Sequence, residues 1–98
     1  LGYPPFNRLI RLLYAHSSEP RARAETERLH RALTERIAQK GLPAIDLIGP
    51  APAFFHRVRG EYRFQILVRG DAERPHALLE NIALPLGWRV DVDPVSLL

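Results

Sequence analysis

Tyr62-Arg63-Phe64-Gln65-Ile66-Leu67-Val68-Arg69 decides the fold. Tyr62, Phe64, Ile66 and Val68 fall on one side of an extended chain and Arg63, Gln65, Leu67 and Arg69 on the other, which is the period of a half-buried strand. The apolar set marks a core-facing side, so the second set must face away from it. Upstream, residues 54–59 read as the first arm of a hairpin closed by Gly60-Glu61. Downstream, a helix is expected over 71–84, with Pro75 in its first turn and Leu78, Leu79 and Ile82 on its apolar side. Pro85 and Gly87 break it, and Trp88, Val90 and Val92 alternate with Arg89, Asp91 and Asp93 as a closing strand.

The first half repeats the scheme. Residues 7–15 read as a strand with Ile10, Leu12 and Tyr14 at alternate positions, after the extended lead-in Tyr3-Pro4-Pro5-Phe6. Ser18 is placed to cap a helix that carries Pro20 in its first turn, and Gly41 and Pro43 supply the stop. Ala22, Thr26, Leu29, Leu33 and Ile37 form its apolar stripe. The other face alternates charge, with Arg21/Glu25, Arg23/Glu27, Glu27/Arg31 and Arg31/Glu35 spaced for ion pairs one turn apart. Residues 44–48 form a short strand that Gly49-Pro50-Ala51-Pro52 is expected to end, since two prolines cannot feed a ladder. The order strand, helix, strand, hairpin strand, helix, strand predicts an α+β fold, a split β-α-β sandwich with an antiparallel sheet and two helices on one face.

That arrangement leaves Arg11, Arg63, Gln65, Arg69 and Arg89 on the open face among Leu9, Leu13 and Leu67. A face half charged and half apolar suits docking. The 98 residues predict one domain, and the absence of a starting Met marks a cut or processed piece of a longer protein. There is no cysteine, which rules out a disulfide scaffold, a thiolate zinc site and a Cys nucleophile. No segment approaches the roughly 20 apolar residues of a spanning helix, so a soluble protein without membrane contact is expected. Of the 14 basic side chains 13 are Arg, with Lys40 the exception. Arg forks onto phosphate, although a GC-rich genome produces the same bias. Residues 1–70 hold 12 basic and 6 acidic groups, and residues 71–98 hold 2 and 5.

Chemistry for catalysis is missing from the sequence. Neither GxxxxGK[ST] nor GxGxxG occurs. His16, His30, His56 and His76 have no metal-binding spacing. Asp91 and Asp93 share a strand face, but no base, nucleophile or ligand accompanies them, and Asp93-Pro94 reads as a turn. An RNA-recognition strand would need an aromatic where Glu61 stands in Arg59-Gly60-Glu61-Tyr62-Arg63-Phe64, and Tyr62 and Phe64 fall on the core side. No catalytic residue, metal or cofactor is expected in this chain.

Tyr3-Pro4-Pro5-Phe6, Gly49-Pro50-Ala51-Pro52, Arg57-Val58-Arg59-Gly60-Glu61-Tyr62-Arg63-Phe64-Gln65 and Asp91-Val92-Asp93-Pro94 occur in this order across nearly the whole chain. In order and spacing they resemble the C-terminal domain of the PriA family of primosomal replication-restart helicases, primosomal protein N-prime. The few residues after Pro94 look like that family's natural end. The resemblance implies a fold similar to ribosomal protein S10 and a bacterial, cytoplasmic protein that recognises stalled forks. Its parent would be an ATP-dependent 3′–5′ DNA helicase, with ATP and zinc used outside these residues. The domain implied is accessory to the motor, contributing to DNA binding and to contact with the acidic tail of single-stranded DNA-binding protein, other primosome proteins and the helicase core of the same chain.

The residues say where single-stranded or forked DNA would touch. Arg57, Arg59, Arg63 and Arg69 lie in a basic hairpin at 54–69, near His56 and against the single acid Glu61. Arg8 and Arg11 extend it if the first strand lies beside 62–69. Such a cluster binds polyanions weakly, without sequence choice and with strong salt dependence. Arg63 and Gln65, inside the matched string, are also the positions best explained by fold. Arg74 and Arg89 are the expected contacts for an acidic, apolar-ended protein tail. Two competing readings stand beside this one: the same arginines pairing with acids of the motor, and a small-ligand regulatory domain, which would need a gripping loop.

Overall fold

The computed structural model describes residues 7–41, 45–71 and 74–92, apart from the side chains of Asn7, Phe54, Phe55, His56, Asp71 and Arg74. The lead-in Tyr3-Pro4-Pro5-Phe6, Pro43, the start of the strand expected at Ala44, and Asp93-Pro94 lie outside the described residues. Four strands and two helices follow in the order β1 (Asn7–His16), α1 (Glu19–Lys40), β2 (Asp46–Val58), β3 (Glu61–Asp71), α2 (Arg74–Leu79) and β4 (Trp88–Val92). The antiparallel sheet is ordered β2-β3-β1-β4, so each helix carries the chain past a strand.

Helix α1 forms where its punctuation puts it. The Ser18 hydroxyl accepts from the Arg21 amide at 3.4 Å, Pro20 occupies the first turn, and Gly41 closes the helix in the left-handed region at φ 65°. Its stripe is the core stripe: Ala22, Thr26, Leu29 and Leu33 are buried, and Ile37 packs against the same cluster. The Thr26 hydroxyl stays satisfied by donating back to the Ala22 carbonyl at 2.6 Å. The expected ion-pair ladder is rearranged. Glu25 turns to Arg28, and Arg23 leans back to Glu19 at 3.9 Å and over the Phe64 ring.

Ile10, Leu12, Ile66 and Val68 from the two central strands meet Leu29, Leu33, Ile45 and Leu78 in the main core. Tyr14, Phe64 and Ala22 form a second cluster, flanked by Tyr62 and Trp88. Three expectations change. First, β2 does not stop at Gly49-Pro50-Ala51-Pro52 but runs through it. As an edge strand it needs no donors on its outer side, and its register shifts between Ile48/Ala51 and Pro52/Arg57 absorb the prolines. Second, α2 runs from Arg74 to Leu79 instead of over 71–84: Asp71 still pairs with Asn7 as the last residue of β3, and Asn81 adopts a left-handed φ of 60° that stops the helix. Third, Val90 and Val92 face the helix side yet are each 46% exposed: the helices pack on β1, β2 and β3, and β4 lies at the sheet edge beyond them.

A candidate nucleic-acid interface at the hairpin end of the sheet

The hairpin turn comes one residue earlier than expected. Val58 pairs with Glu61 across a two-residue loop in which Arg59 (φ 53°) and Gly60 (φ 79°) both have left-handed backbones, the signature of a tight hairpin turn whose twist matches the strands. Asn or Gly is usual at the first of these positions. Arginine there costs on the order of 1 kcal/mol, and strain of this kind concentrates where function holds it. The turn throws the Arg59 side chain outward at the sheet's end.

Strand alternation then divides the expected basic cluster. Arg57 sits opposite Tyr62 and lies over its ring at 5.1 Å, which puts it on the helix side. Arg63 pairs with Ala15 on the open face. Beside it, Leu13 pairs with Arg89 of β4, and the Ala15 amide donates to the Gly87 carbonyl at 3.2 Å. Arg59, Arg63 and Arg89 therefore line one basin of about 360 Å³, together with Glu61, Leu13, Ala15, Val58 and Gly87. Gly87 has φ 109°, and a Cβ at this position would come within 2.9 Å of the Tyr14 ring, so the chain at Gly87 packs directly against β1.

The remaining expected contacts are placed elsewhere. Arg11 lies four residues from Ala15 along β1, about 13 Å at the usual strand rise, and donates through Nη2 (2.7 Å) and Nε (3.2 Å) to Asp91 Oδ2 on the neighbouring strand. Its side chain is only 12% exposed. Arg69 pairs with Asp46 at 3.0 Å, again a cross-strand neighbour. Arg8 stands opposite Gly70 at the far end of β3, roughly 23 Å from Arg63 by the same rise, so β1 does lie beside β3 yet Arg8 does not extend the hairpin cluster. The side chain of Arg74 and that of His56 are outside the described residues. The open face is also less apolar than alternation suggests, since Leu13 and Leu67 are 4% and 9% exposed.

Arg89 was separable from Arg59 and Arg63 in sequence by some thirty residues and joins them through strand order alone. Its alternation with Arg63 was visible; that β4 would pair with β1, next to β3, required the topology. Among the described residues no group of three or more His, Asp or Glu side chains is placed to hold a metal ion. No helix of the described residues is long and apolar enough to cross a membrane. What the basin offers is a concave concentration of guanidinium groups, which fork onto phosphate or carboxylate oxygens.

Comparison with known proteins adds a family. The sequence model described as the primosomal protein N C-terminal domain matches residues 1–95. The Replication restart protein PriA of Treponema pallidum is 36% identical over 105 residues, covering 100% of this chain and 15% of that protein. The Probable replication restart protein PriA of Deinococcus radiodurans is 34% identical over 98% of this chain and 10% of its own length. The Replication restart protein PriA of Synechocystis is 30% identical, over 99% of this chain and 12% of its length. This chain thus spans 15% or less of each of these relatives.

Proposed function

The chain belongs to the family of the primosomal protein N C-terminal domain, and on that premise we propose that it is a non-catalytic nucleic-acid-binding accessory domain of a replication-restart helicase. It holds single-stranded or forked DNA without sequence preference and assists primosome assembly, while ATP-driven unwinding belongs to other parts of the longer protein. The observation that carries this reading is the convergence of Arg59, Arg63 and Arg89 from two separate stretches of chain on one open-face basin. Phosphate contacts of this kind fix position and supply affinity without reading bases.

The test is fluorescence anisotropy of the purified chain with labelled single-stranded and forked DNA across a salt series. Three phosphate contacts on a single strand give a log–log salt slope of roughly −2. Charge reversal at Arg59 and Arg89 together should remove most of the binding, whereas reversal at Arg57, on the other face, should remove much less. Full affinity in the Arg59/Arg89 double variant refutes the basin as the contact.

One observation favours a second reading, a docking module for the acidic tail of single-stranded DNA-binding protein or for the helicase core. Leu86 is 98% exposed three residues before Arg89, so a cation and an uncovered apolar side chain stand close together in the chain, the pairing an acidic, apolar-ended segment requires. A peptide of that composition should displace the amide resonances of 86–89 in a heteronuclear titration. Unmoved resonances there dispose of this reading.

A further inference from the structure

The two edges of the sheet are built differently. β2 carries Pro50 and Pro52 and shifts register between Ile48/Ala51 and between Pro52/Arg57, devices that keep a further strand from pairing there. β4 has neither. Its residues include no proline, pair with β1 in unbroken register from Trp88 to Val92, and have no strand on their other side among the described residues. On the helix side Val90 and Val92 are each 46% exposed, since the helices pack on the other three strands. An apolar strand edge left open in this way is a template for another strand.

The side chains of β4 say which strand fits. Arg89 and Asp91 stand on the open face, one residue to either side of Val90, and carry opposite charges. Two β4 strands can pair antiparallel about a two-fold axis that passes through Val90 perpendicular to the sheet. Arg89 of each copy then lies directly across from Asp91 of the other, while on the helix side Val90 meets Val90 and each Trp88 meets a Val92. Moving the axis to Arg89 or to Asp91 sets like charges opposite each other. Arg89 is exposed and has no ion-pair partner among the described residues. Both donors that Arg11 directs at Asp91 go to Oδ2, which leaves Oδ1 to accept from Arg89 of the second copy. The axis keeps both helix layers on one side of the sheet, and β4 lies beyond them, so the uncovered valines of the two copies can meet.

We propose that the free edge of β4 pairs with the same edge of a second copy of this chain, antiparallel and centred on Val90, joining the two sheets into one. The pairing is independent of what the open face binds.

A short strand pair is at the small end of specific interfaces, so sedimentation equilibrium of the chain should show a monomer–dimer equilibrium with a Kd on the order of 0.1 mM. Arg89→Glu sets carboxylates across from Asp91 at both ends of the pair and should weaken association roughly tenfold. The sequence has no cysteine, so a single introduced one reports the register. Val90→Cys brings two thiols together at the axis, within the roughly 4.4–6.8 Å Cα separation that a disulfide spans, and should cross-link the dimer under mild oxidation. Ile48→Cys on β2, at a position 42% exposed, should not. Far-UV circular dichroism confirms that each variant is folded. A chain that stays monomeric at millimolar concentration overturns the proposal. Association undiminished in Arg89→Glu overturns it too, as does cross-linking of Ile48→Cys as fast as that of Val90→Cys, which would mark random collision.

Discussion

The indole N–H of Trp88 donates to Glu25 Oε2 at 2.9 Å, tying the second turn of α1 to the start of β4. The same carboxylate receives Arg28 through Nε and Nη2, each at 2.7 Å, and the Trp88 ring packs on Tyr14 with centroids 5.0 Å apart. Since β4 is beyond the reach of most of the helix packing, this three-way contact fixes the edge strand on which Arg89 is carried.

Acid should loosen that contact. Hydrogen bonds from Arg28, and then from Trp88, hold the Glu25 carboxyl below its ordinary 4.5 despite an opposing push from burial. A carboxyl lowered in the folded state contributes stability that is complete above the unfolded value and disappears as pH falls through the folded one. Glu25→Gln should therefore be less stable at neutral pH, by about 1–2 kcal/mol, and lose part of its pH dependence below about 4.5. The fluorescence of Trp88, the single tryptophan, reads both effects in urea titrations. A variant with the parent's acid profile would show that Glu25 has no such part.

Gly87, which lines the basin, and Gly60, in the hairpin turn beside it, make a matched pair. Both have left-handed backbones, but a Cβ at Gly87 meets the Tyr14 ring at 2.9 Å and the Ala15 carbonyl at 3.3 Å, whereas a Cβ at Gly60 meets nothing within 4 Å. Gly60→Ala should cost about 1 kcal/mol through its backbone alone. Gly87→Ala should cost about 2–3 kcal/mol, because the aromatic cluster must also shift. Equal losses in chemical denaturation would contradict the close approach.

How much of this was legible in sequence follows from the range of each signal. Local signals served well: Ser18, Pro20 and Gly41 frame α1, and the alternation of 62–69 assigns both faces of β3. Signals that depend on a neighbour did not. Pro50 and Pro52 read as a break because nothing in the sequence says that β2 is an edge strand with one silent side. Val90 and Val92 carry a core pattern, yet their exposure follows from β4 taking the sheet edge beyond the strands on which the helices pack. For the site, charge density pointed to the hairpin, while the sorting of Arg57, Arg59 and Arg63 required the turn at Arg59-Gly60, and the arrival of Arg89 required strand order.

Arg59 sets stability against binding. Asparagine tolerates the left-handed region at the first position of this turn better than arginine does. Arg59→Asn should therefore raise stability by about 0.5 kcal/mol while weakening affinity for single-stranded DNA several-fold, a trade expected where a strained residue is kept for what it contacts. Denaturant midpoints and anisotropy on the same preparation check both halves. A variant that gains stability and keeps its affinity would remove Arg59 from the interface.

The carboxylates opposite Arg11 and Arg69 give the converse test, in which charge is added to the face without touching the basin. Asp91→Asn withdraws one partner of Arg11, whose side chain is 12% exposed and keeps a further contact, and Asp46→Asn withdraws the carboxylate beside Arg69 at 54%. An exposed pair contributes about 0–1 kcal/mol, so Asp46→Asn should leave the fold nearly as stable, and the more enclosed Asp91→Asn should lose more. If the open face meets a polyanion, Asp46→Asn strengthens binding to single-stranded DNA at low salt and steepens the log–log salt dependence by up to about 0.7, the increment for one further phosphate contact, and Asp91→Asn does so less. Asp46→Asn, with its small structural cost, is the cleaner of the two. An unaltered affinity and slope in that variant would confine the contact to the hairpin end, and a weaker affinity would place the polyanion on another face.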